Sequence, residues 1–165
     1  MSRQIQFRVH EGSEPSAATV NLQQLQRLFQ ATAFWAQNRR LEDLEIAIAH
    51  SKPVVTVWDG DRLIGFARAT SDGVYRATIW DVVIHPDYQG SGLGSKLVET
   101  VLSHPHINRV ERVYLMTTHQ QPFYGRIGFQ SNDSTTMVLY NQPQELLDTL
   151  TLNQHREYLI SAHSS

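Results

Sequence analysis

The chain has 165 residues, of which 41% are hydrophobic and 18% charged, the balance of a single folded domain and not of a disordered tail. It contains no cysteine, which excludes a disulfide scaffold, a cysteine-ligated metal centre and a covalent thiol mechanism. Lysine plus arginine is 14 against 16 acidic residues, a net charge of −2 that predicts no general grip on a phosphate backbone and hence no nucleic-acid partner.

Ile5, Phe7 and Val9 alternate with polar residues and predict an opening strand. Leu22, Leu25, Leu28 and Phe29 recur at helical spacing after Asn21, as do Leu41, Leu44 and Ile48, with Asn38-Arg39-Arg40 as the break between two helices. Val54 to Trp58 is β-branched and aromatic, and Asp59-Gly60 supplies a tight turn into a returning strand, Leu63 to Ala67. A second turn at Ser71-Asp72-Gly73 leads into a long strand from Tyr75 to Ile84. After a loop from His85 to Ser91, Leu93, Leu97, Val98, Val101 and Leu102 form one face of a helix that stops before Pro105. Val110 and Val113 to Met116 predict a buried strand, Pro122 to Arg126 a short helix capped by Gly128, and Phe129 with Thr136 to Tyr140 a closing hairpin. The expected architecture is an α/β (α+β) single domain, a mostly antiparallel sheet flanked by helices. Residues 141–165 are expected to form an appended helix and tail, with a helix from Pro143 that packs on residues 1–140, packs on a second subunit as a homodimer, or frays.

The N-terminal segment lacks a signal-peptide core and the Arg/Ser richness of a transit peptide. No apolar run approaches the ~20 residues needed to cross a bilayer, so a cytoplasmic protein without a membrane partner is expected. Of eight histidines only His104-Pro105-His106 are closely spaced, and with no third ligand in view no metal site is predicted.

The densest chemical signal is Asp81 to Lys96, a strand running into a loop with Gly90, Gly92 and Gly94 and then into a helix. Glycines let backbone approach a ligand closely, and free N–H groups at a helix start attract phosphate oxygens. Ser95 stands where the dinucleotide fingerprint needs its third glycine, and the P-loop spacing is absent. A pyrophosphate on another carrier is the expected guest.

This segment resembles the GNAT superfamily of N-acetyltransferases. Gln89, Gly92 and Gly94 match its Q/R-x-x-G-x-G/A signature, and Val83-Ile84-His85-Pro86 is similar to the end of its fourth strand. Pro122 to Phe129 is similar to its F-Y-x-x-x-G-F segment. The resemblance covers roughly 5–140. Within the superfamily, Ala77 to Val82 and Tyr88 to Gly94 look most like the cyanobacterial and plastid group that includes plant-type serotonin (arylalkylamine) N-acetyltransferases. Thr117-Thr118-His119-Gln120 departs from the Asn that many relatives carry there.

The resemblance implies acetyl-CoA as acetyl donor, bound by Val83, Ile84, Gln89, Gly90, Ser91, Gly92, Leu93, Gly94 and Ser95. It implies Tyr124 as general acid toward the thiolate and the Val83 N–H as donor to the thioester carbonyl. Asp81, among apolar neighbours where burial raises a carboxyl pKa, is the expected base or water-positioning group; an Asp on a solvated strand face or paired with an Arg is the competing reading. His85 and His119 are rival bases. Phe34, Trp35, Trp80 and Tyr88 are expected to line an aromatic slot for a small primary amine such as serotonin. Glu42, Asp43 and Glu45 instead suit a protein-lysine or N-terminal acetyltransferase, and an acyl-CoA-binding regulatory module is the alternative outside catalysis.

Overall fold

The computed structural model describes residues 2–11, 20–132 and 136–141. The chain divides into two compact units, 1–130 and 131–165. In the first, strand β1 (Ile5–His10) is followed by helices α1 (Leu22–Thr32) and α2 (Leu41–Ala49), joined through a 3-10 turn at Phe34–Ala36. The meander β2 (Val54–Asp59), β3 (Arg62–Ser71) and β4 (Arg76–Ile84) comes next. Helix α3 (Leu93–Ser103), strand β5 (Arg112–Tyr114) and helix α4 (Gln121–Ile127) complete it.

The five strands lie in sequence order, with β1 to β4 antiparallel and β5 parallel to β4. This is the expected mostly antiparallel α/β sheet. Its two faces carry separate cores. Leu25, Leu28 and Phe29 of α1 and Leu44 and Ile48 of α2 pack with Trp58, Leu63, Phe66 and Val83 on one face. Leu97, Val98 and Val101 of α3 pack with Val55, Val57, Ile64, Ile79 and Ile84 on the other. Full burial of such a side chain contributes about 1.5–3 kcal/mol, so these layers hold the helices and the polar site is free to serve other ends.

Local signals explain the element ends. The Asn21 side chain accepts from the Gln24 N–H at 3.0 Å and starts α1. Gly128, at φ 119°, closes α4, which runs one residue further at each end than the prolyl start predicts. Phe34 and Trp35 lie in the separate 3-10 turn after α1.

The expected closing hairpin is not formed as read. Residues 136–140 take no strand conformation, and Met137, Val138 and Leu139 are exposed. An unbroken apolar run reads as a buried strand by composition, yet composition supplies no pairing partner. The link between the two expected hairpin arms falls partly outside the described residues, and the expected appended helix lies outside them from residue 142 on. Among the described residues no helix is long and apolar enough to cross a membrane.

Candidate active site

The site begins with an irregularity in β4. Phe66 pairs with Val83 and Arg68 with Trp80, so Asp81 and Val82 together oppose the single residue Ala67. Asp81 takes up the extra residue at φ 57°, a left-handed conformation that Asp tolerates better than most side chains. The bulge shifts the two-residue period of the strand. Ala77 and Ile79 face the α3 core, yet Asp81 and Val83 turn to the α1–α2 face while Val82 and Ile84 return to the α3 side.

Asp81 is thereby buried, its side chain 5% exposed, beside two arginines. Its Oδ2 accepts from Arg39 Nη1 and from Arg68 Nε, each at 2.8 Å. Trp35 Nε1 donates weakly to Oδ1 at 3.4 Å. Burial pushes the carboxyl upward, but the hydrogen bonds and charges of Arg39 and Arg68 outweigh it and hold the group below the ordinary aspartate range. The expectation that burial wins is corrected by these two partners, and the arginine-paired reading describes the residue. Arg68 lies 5.9 Å from the Trp80 ring centroid and donates to Ser51 Oγ at 3.2 Å. Trp80 donates to Thr70 Oγ1 at 2.9 Å. The Phe34 and Trp35 rings meet edge to face at 5.1 Å. Phe34, Trp35, Trp80 and Asp81 thus form one connected group.

Beyond the Thr78–Tyr114 pair, β5 ends while β4 runs on to Ile84, and the two strands part. The alternation of the β3–β4 ladder decides which backbone groups face that gap. His85 N–H bonds the Ile64 carbonyl at 2.7 Å, so Val83, two residues earlier, also points its N–H toward β3. The N–H groups of Val82 and Ile84 point the other way, into the gap. The Val83 N–H thus faces β3 and not the gap, a parity that could be counted back from the loop.

The loop after β4 is built by its own side chains. Gln89 donates to the Ile84 carbonyl at 3.0 Å and Ser91 to the Tyr88 carbonyl at 2.9 Å. Gly90 and Gly92 hold φ of 81° and 82°, a left-handed backbone that a β-branched side chain resists. Gly92 is the N-cap of α3 without a side-chain cap, and the first intrahelical bond runs from Lys96 N–H to its carbonyl. The N–H groups of Leu93, Gly94 and Ser95 therefore have no intrahelical acceptor. A Cβ on Gly94 would stand 3.3 Å from Phe123 Cζ, so the glycine lets α4 close onto α3.

Residues 22–129 match the Acetyltransferase (GNAT) family. The chain belongs to that family. It is 37% identical over 118 residues to an uncharacterized N-acetyltransferase ycf52 of Porphyra purpurea, covering 67% of this chain and 65% of that protein. It is 34% identical over 119 residues to the chloroplastic GCN5-related N-acetyltransferase 1 of Arabidopsis thaliana, covering 68% and 58%. The chain thus spans about three fifths of the length of these curated relatives. Among solved structures, a GNAT family acetyltransferase of Streptococcus pneumoniae TIGR4 superposes with TM-score 0.67 at 27% identity, covering 85% of this chain and all of that one. The Arabidopsis relative is chloroplastic by name.

The GNAT family implies an acetyl-CoA donor. The uncapped start of α3, the two left-handed glycines and the parted strands suit a pyrophosphate followed by an extended chain. Tyr124 sits on α4 beside Phe123, the ring that meets Gly94, with ring centroids 4.9 Å apart. Burial pushes its phenol up to about 12. Tyr88 does not join the aromatic group at Asp81. It is buried in the α3-side core and donates to Asp59 Oδ2 at 2.6 Å, anchoring the loop to the β2–β3 turn. His85 is engaged with Arg62 and the Asp87 backbone, and His119 is exposed.

Sequence reasoning missed Arg39 and Arg68 as site residues. A signal existed: Arg68 stands in β3 among Phe66, Ala67 and Ala69, each at most 1% exposed, and a charge in such company needs a partner.

Proposed function

We propose that the chain transfers the acetyl group of acetyl-CoA directly to the nitrogen of a primary amine, and that the acceptor is an arylalkylamine with serotonin as reference compound. The observation that carries the reading is the opening between β4 and β5, bordered by the uncapped α3 loop and by α4 with Tyr124. Residues 1–140 are the proposed acetyltransferase unit, with 141–165 appended to it.

Acetyl-CoA supplies the activated acetyl carbon and a thiolate leaving group. The N–H groups at the start of α3 hold phosphate oxygens. Val82 and Ile84 offer N–H donors from a fixed strand to the oxygen on which negative charge develops, so little reorganisation is needed as it forms. A nitrogen–carbon bond forms as the carbon–sulfur bond breaks. Tyr124, with its phenol protonated throughout the physiological range, gives its proton to sulfur and regains one from solvent.

On the acceptor side, Arg39 and Arg68 favour the neutral amine over the ammonium, so the amine proton is lost to water before or as nitrogen attacks. Asp81 acts as a positioning residue in this account. A carboxylate held below its ordinary range by two guanidiniums is a weak base, yet it fixes Arg39, Arg68 and Trp35 around the acceptor. Phe34, Trp35 and Trp80 supply aromatic surface there, which supports an aromatic acceptor.

A second reading, acetylation of protein lysines, is favoured by one relative: 72 residues of the chain are 43% identical to a soybean protein named histone acetyltransferase TAP1. Thiol release from acetyl-CoA with serotonin, tryptamine, polyamines and lysine peptides tests both. Faster turnover of the aryl-ethylamines supports the first reading, and turnover confined to peptides replaces it with the second. Acetyl-CoA binding without turnover of any amine overturns the enzyme and leaves a binding module.

A further inference from the structure

A cavity of ≈ 230 Å³ opens between α1, α2 and the sheet beside Asp81. Leu25, Phe29, Leu44 and Phe66 give it an apolar floor, and Arg39, Arg68 and Asp81 form a charged wall. Both guanidiniums spend their contact with Asp81 on one oxygen, Oδ2. Each guanidinium has five N–H donors. Arg39 uses one on Asp81; Arg68 uses one on Asp81 and one on Ser51. Their other N–H groups have no hydrogen-bond acceptor among the described residues. The three wall groups sum to one positive charge. Asp43 lines the same cavity from α2, but it is exposed, and a carboxylate in solvent offsets little of a field inside a partly buried wall.

Such a wall repels an acceptor whose only charge is an ammonium and offers bidentate donors to an anion. We propose that the acceptor carries a carboxylate as well as its amine, an α-amino acid with an apolar or aromatic side chain, and that Arg39 binds this carboxylate in the cavity beside Asp81. The apolar floor of Leu25, Phe29, Leu44 and Phe66 receives the side chain. The inference rests on the acetyltransferase reading and replaces its plain arylalkylamine acceptor, serotonin included, with an amino acid that bears a similar side chain. Arg68, 17% exposed and tied to Ser51, is the fixed half of the pair; Arg39, 33% exposed, is the half that meets the ligand.

The test compares acceptor pairs that differ only in the carboxylate, tryptophan against tryptamine and phenylalanine against 2-phenylethylamine. Wild-type kcat/KM should favour the carboxylated member about tenfold or more. Arg39→Gln should lower kcat/KM for that member about ten- to hundredfold relative to its partner, the usual cost of a lost charge-assisted hydrogen bond. Arg39→Lys should restore part of the preference. Because Arg39 also touches Asp81, each variant is read as the ratio within a pair, in which damage common to both substrates cancels. A wild-type enzyme that prefers the plain amines, with a ratio unmoved by Arg39→Gln, overturns this inference and leaves the arylalkylamine reading standing. If no amine is turned over, the acetyltransferase reading fails, and calorimetry with N-acetylphenylalanine still decides. Binding weakened tenfold or more by Arg39→Gln supports the carboxylate site, and absence of binding overturns it.

Discussion

Replacing Asp81 with Asn removes one negative charge while keeping a side chain that tolerates the left-handed backbone at φ 57°. The change therefore separates charge from conformation. Arg39 and Arg68 both lie 2.8 Å from one Asp81 oxygen, so their charges stand roughly 6 Å apart once the carboxylate is gone. Two unit charges at that separation repel by about 3 kcal/mol at an effective dielectric of about 20. Breaking a buried pair by removing one partner costs about 3–5 kcal/mol in other proteins. Arg39 is a third exposed, and solvent screens part of this, so a loss of about 2–4 kcal/mol is expected. For a chain of this size that lowers Tm by about 6–12 °C.

Urea unfolding followed by tryptophan fluorescence and far-UV circular dichroism measures it directly, with an unchanged m-value as the control. The double variant Asp81→Asn/Arg39→Gln should be more stable than Asp81→Asn alone, because it removes one of the repelling charges. The pH dependence has a fixed sign. The folded pKa of Asp81 lies below its ordinary value of 3.8, so its contribution is complete above 3.8 and is lost as pH falls through the lower folded value. Asp81→Asn should remove that part of acid unfolding. A single variant within about 0.5 kcal/mol of wild type, with the same acid limb, would refute the pairing argument.

Tyr124→Phe should lower turnover about a hundredfold or more while leaving acetyl-CoA affinity nearly unchanged, as kinetics and calorimetry report; equal turnover would remove the phenol as acid. Gly92→Val should strain the left-handed N-cap of α3 by about 1–2 kcal/mol and weaken acetyl-CoA binding, with unaltered affinity discrediting the loop. His10 Nε2 lies 2.8 Å from Thr56 Oγ1, which also accepts from Trp58 Nε1. Burial, then the charge of Arg8, holds the imidazole below its ordinary 6.5, so stability should fall as pH drops from 6.5 toward the lower folded value. His10→Gln should flatten that slope in denaturant titrations, and an unchanged slope would exclude His10 as its source.

Much of the fold was legible because its signals are local. Asn21 announced α1, Asp59-Gly60 the β2–β3 turn, and the helical spacing after Gly92 the helix α3. Chemistry at the loop was legible for the same reason, since glycines and a helix start within six residues carry their own meaning. The bulge at Asp81 was not. Alternation along β4 predicts one face for Asp81, and only pairing with β3 shows the extra residue that turns it to the other. Its partners Arg39 and Arg68 are 42 and 13 residues away, a distance no local pattern spans. The same ladder turns the Val83 N–H toward β3 and leaves those of Val82 and Ile84 facing the gap. Tyr88 reads as an aromatic of the acceptor slot because nothing near it in sequence shows its acceptor, Asp59, 29 residues earlier.

The central claim is transfer of an acetyl group from acetyl-CoA to an amine nitrogen. It is tested most directly by incubating the protein with acetyl-CoA and an amine panel while free thiol and N-acetylated product are counted in the same sample. Equal amounts of thiol and acetylated amine, both rising only when amine is present and both suppressed in Tyr124→Phe, are predicted. Thiol released without an acetylated amine, or neither product in the presence of bound acetyl-CoA, would contradict the account.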